Sequence, residues 1–418
     1  MTVKKSLSVN RLTLDQPVKV LLLENIHPVA QRAFANAGYE VELLRGALSE
    51  AELIERLSGV TMLGIRSATT ITENVLARAP DLIAIGAFCI GTNQIDRTTA
   101  ANRGVAVFNA PFQNTRSVVE LAVAEIIALK RQLFEKNART HAGIWDKSAQ
   151  GSHEVRSLVL GIVGYGRIGS QLSVVAENLG MQVQYYDIAD TLSMSNAVRC
   201  DSFNELLATS DIVTVHVDGR PENKGLFGEA EFALMREGSL FLNLSRGMVV
   251  DIDALKNNLI SGHLAGAAID VFPQEPKIKG EAFISPLQDM PNVILTPHVA
   301  GSTEEAQESI GHYVSGKLID YASLGTTSMS MSLPSVKLVR AQGAHRLTLV
   351  HENIPGVLAE LNTILSHGNA NITAQNLGTM GDIGYVITDS SVKYADEIAQ
   401  QVASLPATIR MRILNRGT

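Results

Sequence analysis

The chain has 418 residues, 45% of them hydrophobic and 18% charged, with a net charge of −7. That balance predicts two or three ordinary globular domains and excludes nucleic-acid binding built on basic patches. Two cysteines, Cys89 and Cys200, offer no disulfide framework and no metal-ligand spacing, and with no apolar run long enough to span a bilayer they suit the cytoplasm.

Residues 1–16 are polar and read as a loose tail. From 18 onward, short apolar runs alternate with helical patterns. Strands are expected at 18–24, 41–44, 61–65, 82–86 and 105–108, with helices between them. Steps this short predict a parallel sheet covered by helices, so 13–113 reads as a first α/β domain, flavodoxin-like and without a glycine fingerprint. Asn114 and Thr115 can cap a long helix running to about residue 140, which opens a second domain at 114–300.

The segment 158–187 organises that second domain. An apolar strand runs into Gly164-Tyr165-Gly166-Arg167-Ile168-Gly169, then a helix, then a strand closing on Asp187. The first glycine permits a tight turn, the second lets backbone approach a diphosphate, and the third lets helix pack on strand. Free N–H groups at the helix start favour the negative charge. Asp187 stands where an acid accepts hydrogen bonds from the adenosine ribose. Ile188, Ala189 and Asp190 follow it with no cation, which favours NAD over NADP. Further strands at 212–217, 240–244, 264–270 and 293–295 make a doubly wound Rossmann sheet.

A helix at 302–321 is expected to return to the first domain, making that domain discontinuous. Residues 323–335 are rich in Ser, Thr, Gly and Pro and read as a linker, closing a segment at 301–335. The remainder, 343–418, has the order βαββαβ of a ferredoxin-like sandwich.

Ligands of doubly wound sheets bind at the carboxyl ends of the strands. Three such ends carry chemistry. One reads Leu244-Ser245-Arg246-Gly247, where the planar Arg246 fork matches a carboxylate or else simply occupies a turn. Another leads through Asp270 to Glu275, pinned between Pro273 and Pro276. Asp270 either holds the carboxamide side of a cofactor or terminates its strand. The third ends in Thr296-Pro297-His298, just before Gly301. A histidine base, a carboxylate behind it and a cation for the substrate's carboxylate are what a nicotinamide enzyme acting on a hydroxy acid requires. No metal site is expected.

The stretches 243–247, 266–272 and 296–298 resemble the signatures of the D-isomer-specific 2-hydroxyacid dehydrogenases. Stretches 64–67, 85–96 and 109–112 resemble the branch of that family acting on D-3-phosphoglycerate, and 351–358 resembles the opening of its C-terminal ACT domain. The resemblance covers nearly all the chain after the tail. It implies that Arg246, Glu275 and His298 are the catalytic set, and that Gly164, Gly166, Arg167, Ile168, Gly169, Asp187, Leu244, Ser245, Arg246, Asp270, His298 and Gly301 hold NAD. It further implies that Arg66, Ser67 and Asn114 contact 3-phosphoglycerate, whose phosphate needs cationic groups beyond Arg246. His351, Asn353 and Asn371 match positions that hold the effector L-serine, while Ile354 departs from the arginine of close relatives. A homo-oligomer, most simply a tetramer, is implied. Two other readings stay open: a reductase of hydroxypyruvate or 2-oxoglutarate, and a non-catalytic NAD-sensing regulator on the same fold.

Overall fold

Five four-residue strands open the chain: β1 (Lys19–Leu22), β2 (Glu40–Leu43), β3 (Met62–Ile65), β4 (Ala84–Ala87) and β5 (Ala106–Asn109). In the computed structural model, which describes residues 18–276 and 280–414, they pair in parallel in the order β2-β1-β3-β4-β5. This is the flavodoxin-like winding. The expected N-terminal tail lies outside the described residues. Helices α1 (Pro28–Asn36), α2 (Glu50–Arg56), α3 (Glu73–Ala77) and α4 (Arg97–Asn102) connect the strands. Every residue of β3, β4 and β5 is buried. Strands covered on both faces read as unbroken apolar runs, which is how these three appear in the sequence. The helix starts are set by side chains: Ser49 and Glu52 form a reciprocal capping box on α2, and Thr72 and Asp96 cap α3 and α4.

The chain divides into two units, one of Met1–Gln113 with Gln307–Thr418 and one of Asn114–Ala306. The second begins with α5 (Thr115–Lys130) and α6 (Leu133–His141). The single helix expected to about residue 140 is therefore two. Gln132 adopts a left-handed backbone (φ 50°) that ends the run of α-helical hydrogen bonds. Asn114 occupies the N-cap position of α5 but makes no side-chain cap bond.

Next come β6 (Val159–Val163), α7 (Arg167–Asn178), β7 (Gln182–Tyr186), β8 (Val198–Arg199), α8 (Phe203–Thr209), β9 (Ile212–Val215) and α9 (Glu229–Leu234). They are followed by β10 (Ser239–Asn243), α10 (Ile252–Ile260), β11 (Leu264–Ile269) and β12 (Val293–Leu295). The order β12-β11-β10-β9-β6-β7-β8 is a seven-stranded parallel Rossmann sheet whose winding reverses between β6 and β9. Two clusters of buried apolar residues line this unit's interior. One joins α5 and α7 to Leu160, Ile162, Leu242 and Ala268. The other joins α8, α9 and α10 to Val213, Phe241 and Ala267. Alternate strand residues thus feed opposite faces.

Helix α11 (Glu304–Leu324) carries the chain back. Its Ile310, Val314, Leu318 and Tyr321 are buried in one cluster with Val20, Leu22 and Phe108 of the first sheet. A Cβ on Gly86 would come within 2.6 Å of Val314 and 2.8 Å of Leu318, so only glycine lets the helix lie this close to β4.

The 323–335 stretch is not a loose linker. Thr327, Ser332, Leu333 and the following Val336 are buried. Met331 donates its N–H to the Val107 carbonyl, and the Ser332 hydroxyl both accepts from Val107 N–H and donates to the Val105 carbonyl. The segment is a strap laid along β5. Composition misled here because its hydroxyl side chains satisfy buried backbone instead of facing water.

The strap leads to β13 (His345–Glu352), α12 (Val357–His367), β14 (Ile372–Met380), β15 (Ile383–Ser390), α13 (Asp396–Ser404) and β16 (Thr408–Leu414). The antiparallel order β14-β15-β13-β16 is that of a ferredoxin-like sandwich. Helices α12 and α13 cover one sheet face, with Leu361, Leu365, Ile398 and Val402 against Leu347, Leu349 and Val386. The other face does not face water. Val350, Ile383, Tyr385 and Ile387 join the cluster of α11, the strap and the first sheet. Three arginines complete this contact. Arg346 forms a bidentate pair with Asp389, both bonds 2.7 Å, and donates to the Leu324 carbonyl. Arg412 stacks 4.0 Å over the Tyr321 ring and donates to the Tyr321 carbonyl. Arg410 donates to the carbonyls of Leu82 and Arg103. The C-terminal sandwich and the first sheet are therefore one packed body.

Candidate active site

In the second unit, the catalytic candidates sit where parallel strands end. Asn243, the last residue of β10, is fully buried, and its side-chain oxygen accepts from both the N–H and the hydroxyl of Ser245. Its amide donates back to the Arg246 carbonyl. This side-chain-to-backbone turn fixes the direction in which Arg246 leaves the strand. Sequence reasoning did not single out Asn243, although an Asn two residues before a Ser at a strand end is the available signal.

After β11, Asp270 is fully buried. Its carboxylate accepts from the Thr296 hydroxyl (2.6 Å) and from the N–H groups of Val299 (2.8 Å) and Ala300 (3.0 Å). It thereby ties the end of β11 to the turn after β12. On that turn His298 adopts a left-handed backbone (φ 54°) and donates its N–H to the Asp270 carbonyl. A histidine held there is strained by roughly 1–3 kcal/mol, tolerated where the surrounding bonds over-determine it.

His298 Nδ1 lies 2.8 Å from Glu275 Oε2, while Glu275 Oε1 accepts from the Phe272 N–H at 3.0 Å. The hydrogen bond to Glu275 raises the imidazole's proton affinity against the opposing effect of burial. Burial alone would raise the Glu275 carboxyl, but its bonds to His298 and Phe272 outweigh it and hold it below its usual value. The Arg246 charge acts on both groups, lowering the proton affinity of each. With Nδ1 engaged by the carboxylate, Nε2 is the nitrogen left for chemistry.

The fingerprint turn has room for a diphosphate. Gly164 has φ 92°, and a Cβ there would meet the His216 carbonyl at 2.7 Å. Gly169 packs against the Gly164 carbonyl. A Cβ on Gly166, the N-cap of α7, would meet nothing within 4 Å, so open space lies at the helix start. Arg167 and Ile168 form the first turn of α7. Asp187 closes β7, with Oδ2 accepting from the Tyr165 N–H (2.7 Å) and Oδ1 from the Ala189 N–H (2.8 Å). Each oxygen retains a lone pair for a ribose hydroxyl. These residues fit NAD. Leu244 and Ser245 are buried beside Arg246, and Gly301 lies against the Asn114 amide, with no room there for a Cβ.

Arg66 and Ser67 belong to the other unit, directly after β3, where Ser67 is exposed. The effector candidates lie at two places in the C-terminal sheet. His351 is buried, with Nδ1 2.8 Å from the Glu352 carbonyl and Nε2 without a hydrogen-bond partner among the described residues. Nearby, Asn353 donates its amide to the Gly381 carbonyl. Asn371 precedes Ile372, which pairs with Ser390, whereas His351 pairs with Gly384. The length of β15 separates them, roughly 20 Å at ~3.3 Å per residue. One chain does not bring the three together.

A Rossmann sheet with a glycine turn, an acid after its second strand and a His–Glu pair beside an arginine defines an NAD-dependent dehydrogenase. Comparison with known proteins agrees. Residues 123–300 match the family model "D-isomer specific 2-hydroxyacid dehydrogenase, NAD binding domain", and residues 347–410 match "AHAS small subunit-like ACT domain". The D-3-phosphoglycerate dehydrogenase of Haemophilus influenzae is 47% identical over 407 residues, covering 97% of this chain and 99% of the relative. That of Escherichia coli K12 is 48% identical over 400 residues, covering 95% and 97%. Among solved structures, the D-lactate dehydrogenase of Aquifex aeolicus complexed with NAD and lactic acid superposes with a TM-score of 0.66. It is 25% identical, and the match covers 76% of this chain and all of that one. The chain belongs to the D-3-phosphoglycerate dehydrogenases, an ACT-bearing branch of the D-isomer-specific 2-hydroxyacid dehydrogenases. No helix among the described residues is long and apolar enough to cross a membrane.

Proposed function

We propose that the chain oxidises D-3-phosphoglycerate to 3-phosphohydroxypyruvate with NAD, the entry to serine synthesis, under feedback by L-serine. The 2.8 Å bond between His298 and Glu275 at the strand ends carries the reading. It supplies an imidazole with one nitrogen fixed and the other available. His298 Nε2 takes the hydroxyl proton at C2 in oxidation and returns it to the oxyanion in reduction. Glu275 stabilises the imidazolium so formed, without itself taking the proton. Arg246 holds the substrate carboxylate in its fork and polarises the adjacent carbon–oxygen bond. NAD, when bound, would supply the acceptor for the C2 hydride. Arg66 and Ser67 are assigned to the phosphate, and Asn114 to substrate contact.

Serine is assigned to His351 and Asn353 of one copy and Asn371 of another, a pairing favoured by the ~20 Å separation of these groups within a chain. Such a site needs a homo-oligomer, here proposed as a tetramer. The exposed Leu133, Phe134 and Trp145 (55%, 60% and 78% accessible) offer apolar surface for a further subunit contact. The test is NADH oxidation with phosphohydroxypyruvate, hydroxypyruvate and 2-oxoglutarate, each with and without serine. Preference for the phosphorylated acid, suppressed by serine, supports the proposal. Equal rates on all three acids would favour the broad reductase, and no turnover would favour an NAD-sensing regulator.

A further inference from the structure

The turn after β1 contains an arrangement that the dehydrogenase chemistry described so far does not use. Glu24 and Asn25 are consecutive non-glycine residues in the left-handed region, with φ 61° and 52°. Such backbone is unfavourable for each residue and persists where other bonds hold it. Here the Glu24 N–H donates to the Gly46 carbonyl and the preceding Leu23 N–H to the Gly64 carbonyl. The result is that the Glu24 carboxylate turns inward and is buried. Its Oε2 accepts the Ala68 N–H at 2.9 Å and its Oε1 the Thr69 N–H at 2.8 Å. From the other side, the Gln94 amide donates to the Arg66 carbonyl at 2.5 Å. The four residues Arg66–Thr69 are therefore fastened at three main-chain points, while the Arg66 and Ser67 side chains are left out of that fastening.

A carboxylate beside a phosphate-reading loop is unexpected on charge alone, since it repels the anion. Its position resolves this. The Ala68 and Thr69 amides are the main-chain donors that an anion at this loop would seek. Glu24 occupies both, and in doing so its carboxylate is hydrogen-bonded by those amides and holds the loop in one conformation. An anion arriving there is left the guanidinium of Arg66 and the hydroxyl of Ser67, side chains that read a phosphate's geometry more selectively than a flexible loop of free amides does.

We infer that Glu24 is a positioning residue for substrate selection: by occupying the Ala68 and Thr69 amides it presets the Arg66–Ser67 loop to receive the phosphate group. This rests on the assignment of Arg66 and Ser67 to the phosphate. Gln94 supports the same loop at its first residue.

The experiment compares phosphohydroxypyruvate with hydroxypyruvate, which lacks the phosphate, in the full-length enzyme and in E24Q, E24A, Q94A and R66A, with thermal unfolding of each variant. E24Q loses one of the two acceptors and E24A both. The KM for phosphohydroxypyruvate should rise about tenfold in E24Q and further in E24A, with kcat little changed, because a charge-assisted hydrogen bond that preorganises binding is lost. The kcat/KM for hydroxypyruvate should stay within about threefold of the parent. Q94A, which leaves Glu24 in place, should move the same ratio in the same direction. Equal losses on both substrates in E24Q and Q94A would make Glu24 a merely structural residue and overturn the inference. If R66A discriminates between the two substrates and the Glu24 variants do not, the positioning role alone is overturned. If R66A itself fails to discriminate, the phosphate assignment falls, and the role of Glu24 falls with it.

Discussion

Replacing Glu125 with glutamine should make the protein progressively more stable than its parent as the pH rises. Glu125 lies on α5 with 3% of its surface exposed, and neither carboxylate oxygen has a hydrogen-bond partner among the described residues. Burial, reinforced by the nearby Asp270 charge, pushes its carboxyl from 4.5 up to about 8. Below pH 4.5 the group is protonated whether folded or unfolded and imposes no penalty. Between 4.5 and about 8 the unfolded chain gives up a proton that the folded chain retains, so stability falls with rising pH. Above about 8 the penalty is constant. At ~1.4 kcal/mol per pKa unit, the penalty is roughly 2 kcal/mol at pH 6 and roughly 5 kcal/mol above pH 8. Glutamine keeps the shape and cannot ionise. The advantage of E125Q over the parent should therefore grow by about 3 kcal/mol between pH 6 and pH 9, or roughly 6–12 °C in Tm for a unit of this size. Paired urea and thermal unfolding curves across that range measure it directly. A stability gap that stays constant from pH 6 to pH 9 would refute the claim that Glu125 is held protonated in the fold.

Further outcomes are expected. H298A should lower kcat by roughly 10²–10⁴ while NADH binding, followed by fluorescence titration, is retained, and R246K should not restore the rate lost in R246A because a point charge cannot replace the fork. E275Q removes the main cause of the raised His298 pKa, so the rise of oxidation rate with pH and the fall of reduction rate with pH should both move to lower pH; unchanged profiles would reduce Glu275 to a packing role. NAD should be preferred over NADP by well over tenfold in kcat/KM, because a 2′-phosphate would face the Asp187 carboxylate, which is worth more than ~1.4 kcal/mol. N353A should abolish serine inhibition and spare catalysis, whereas D389N should destabilise the fold by about 3–5 kcal/mol by leaving Arg346 buried and unpaired, as denaturant unfolding would report.

The packed strap changes what truncation tests. Cutting after Ser335 would remove the ACT sandwich, uncover Tyr321 and Leu333, and take away Val336, whose N–H donates to the Thr327 hydroxyl and closes the strap. Loss of activity in the shortened chain would reflect lost packing, so point variants at Asn353 and Asn371 are the cleaner probe of regulation. The same packing makes the C-terminal sandwich and the first sheet a single body through which an effector signal can pass by direct contact.

Local chemistry accounts for what the sequence by itself determined. Glycines at 164 and 169 are required by close backbone approach, the glycine at 166 leaves open space at the helix start, and an acid directly after the second strand, Asp187, follows from short-range pattern. Ser49, Thr72 and Asp96 mark helix starts because capping depends on neighbours three residues away. Arg246, Glu275 and His298 were legible because the ends of parallel strands share one edge. What tertiary structure alone decided are the long-range pairings. Glu24 reaches Ala68 and Thr69 across 44 and 45 residues, and Ser332 reaches Val105 across 227. No periodicity encodes such contacts. Polar residues at 323–335 read as solvated because composition reports affinity for water, while the fold satisfies the same hydroxyls with buried carbonyls of β5. Glu125 likewise looks like one more charge on a helix until the packing of α5 against β11 removes its water and leaves it beside Asp270.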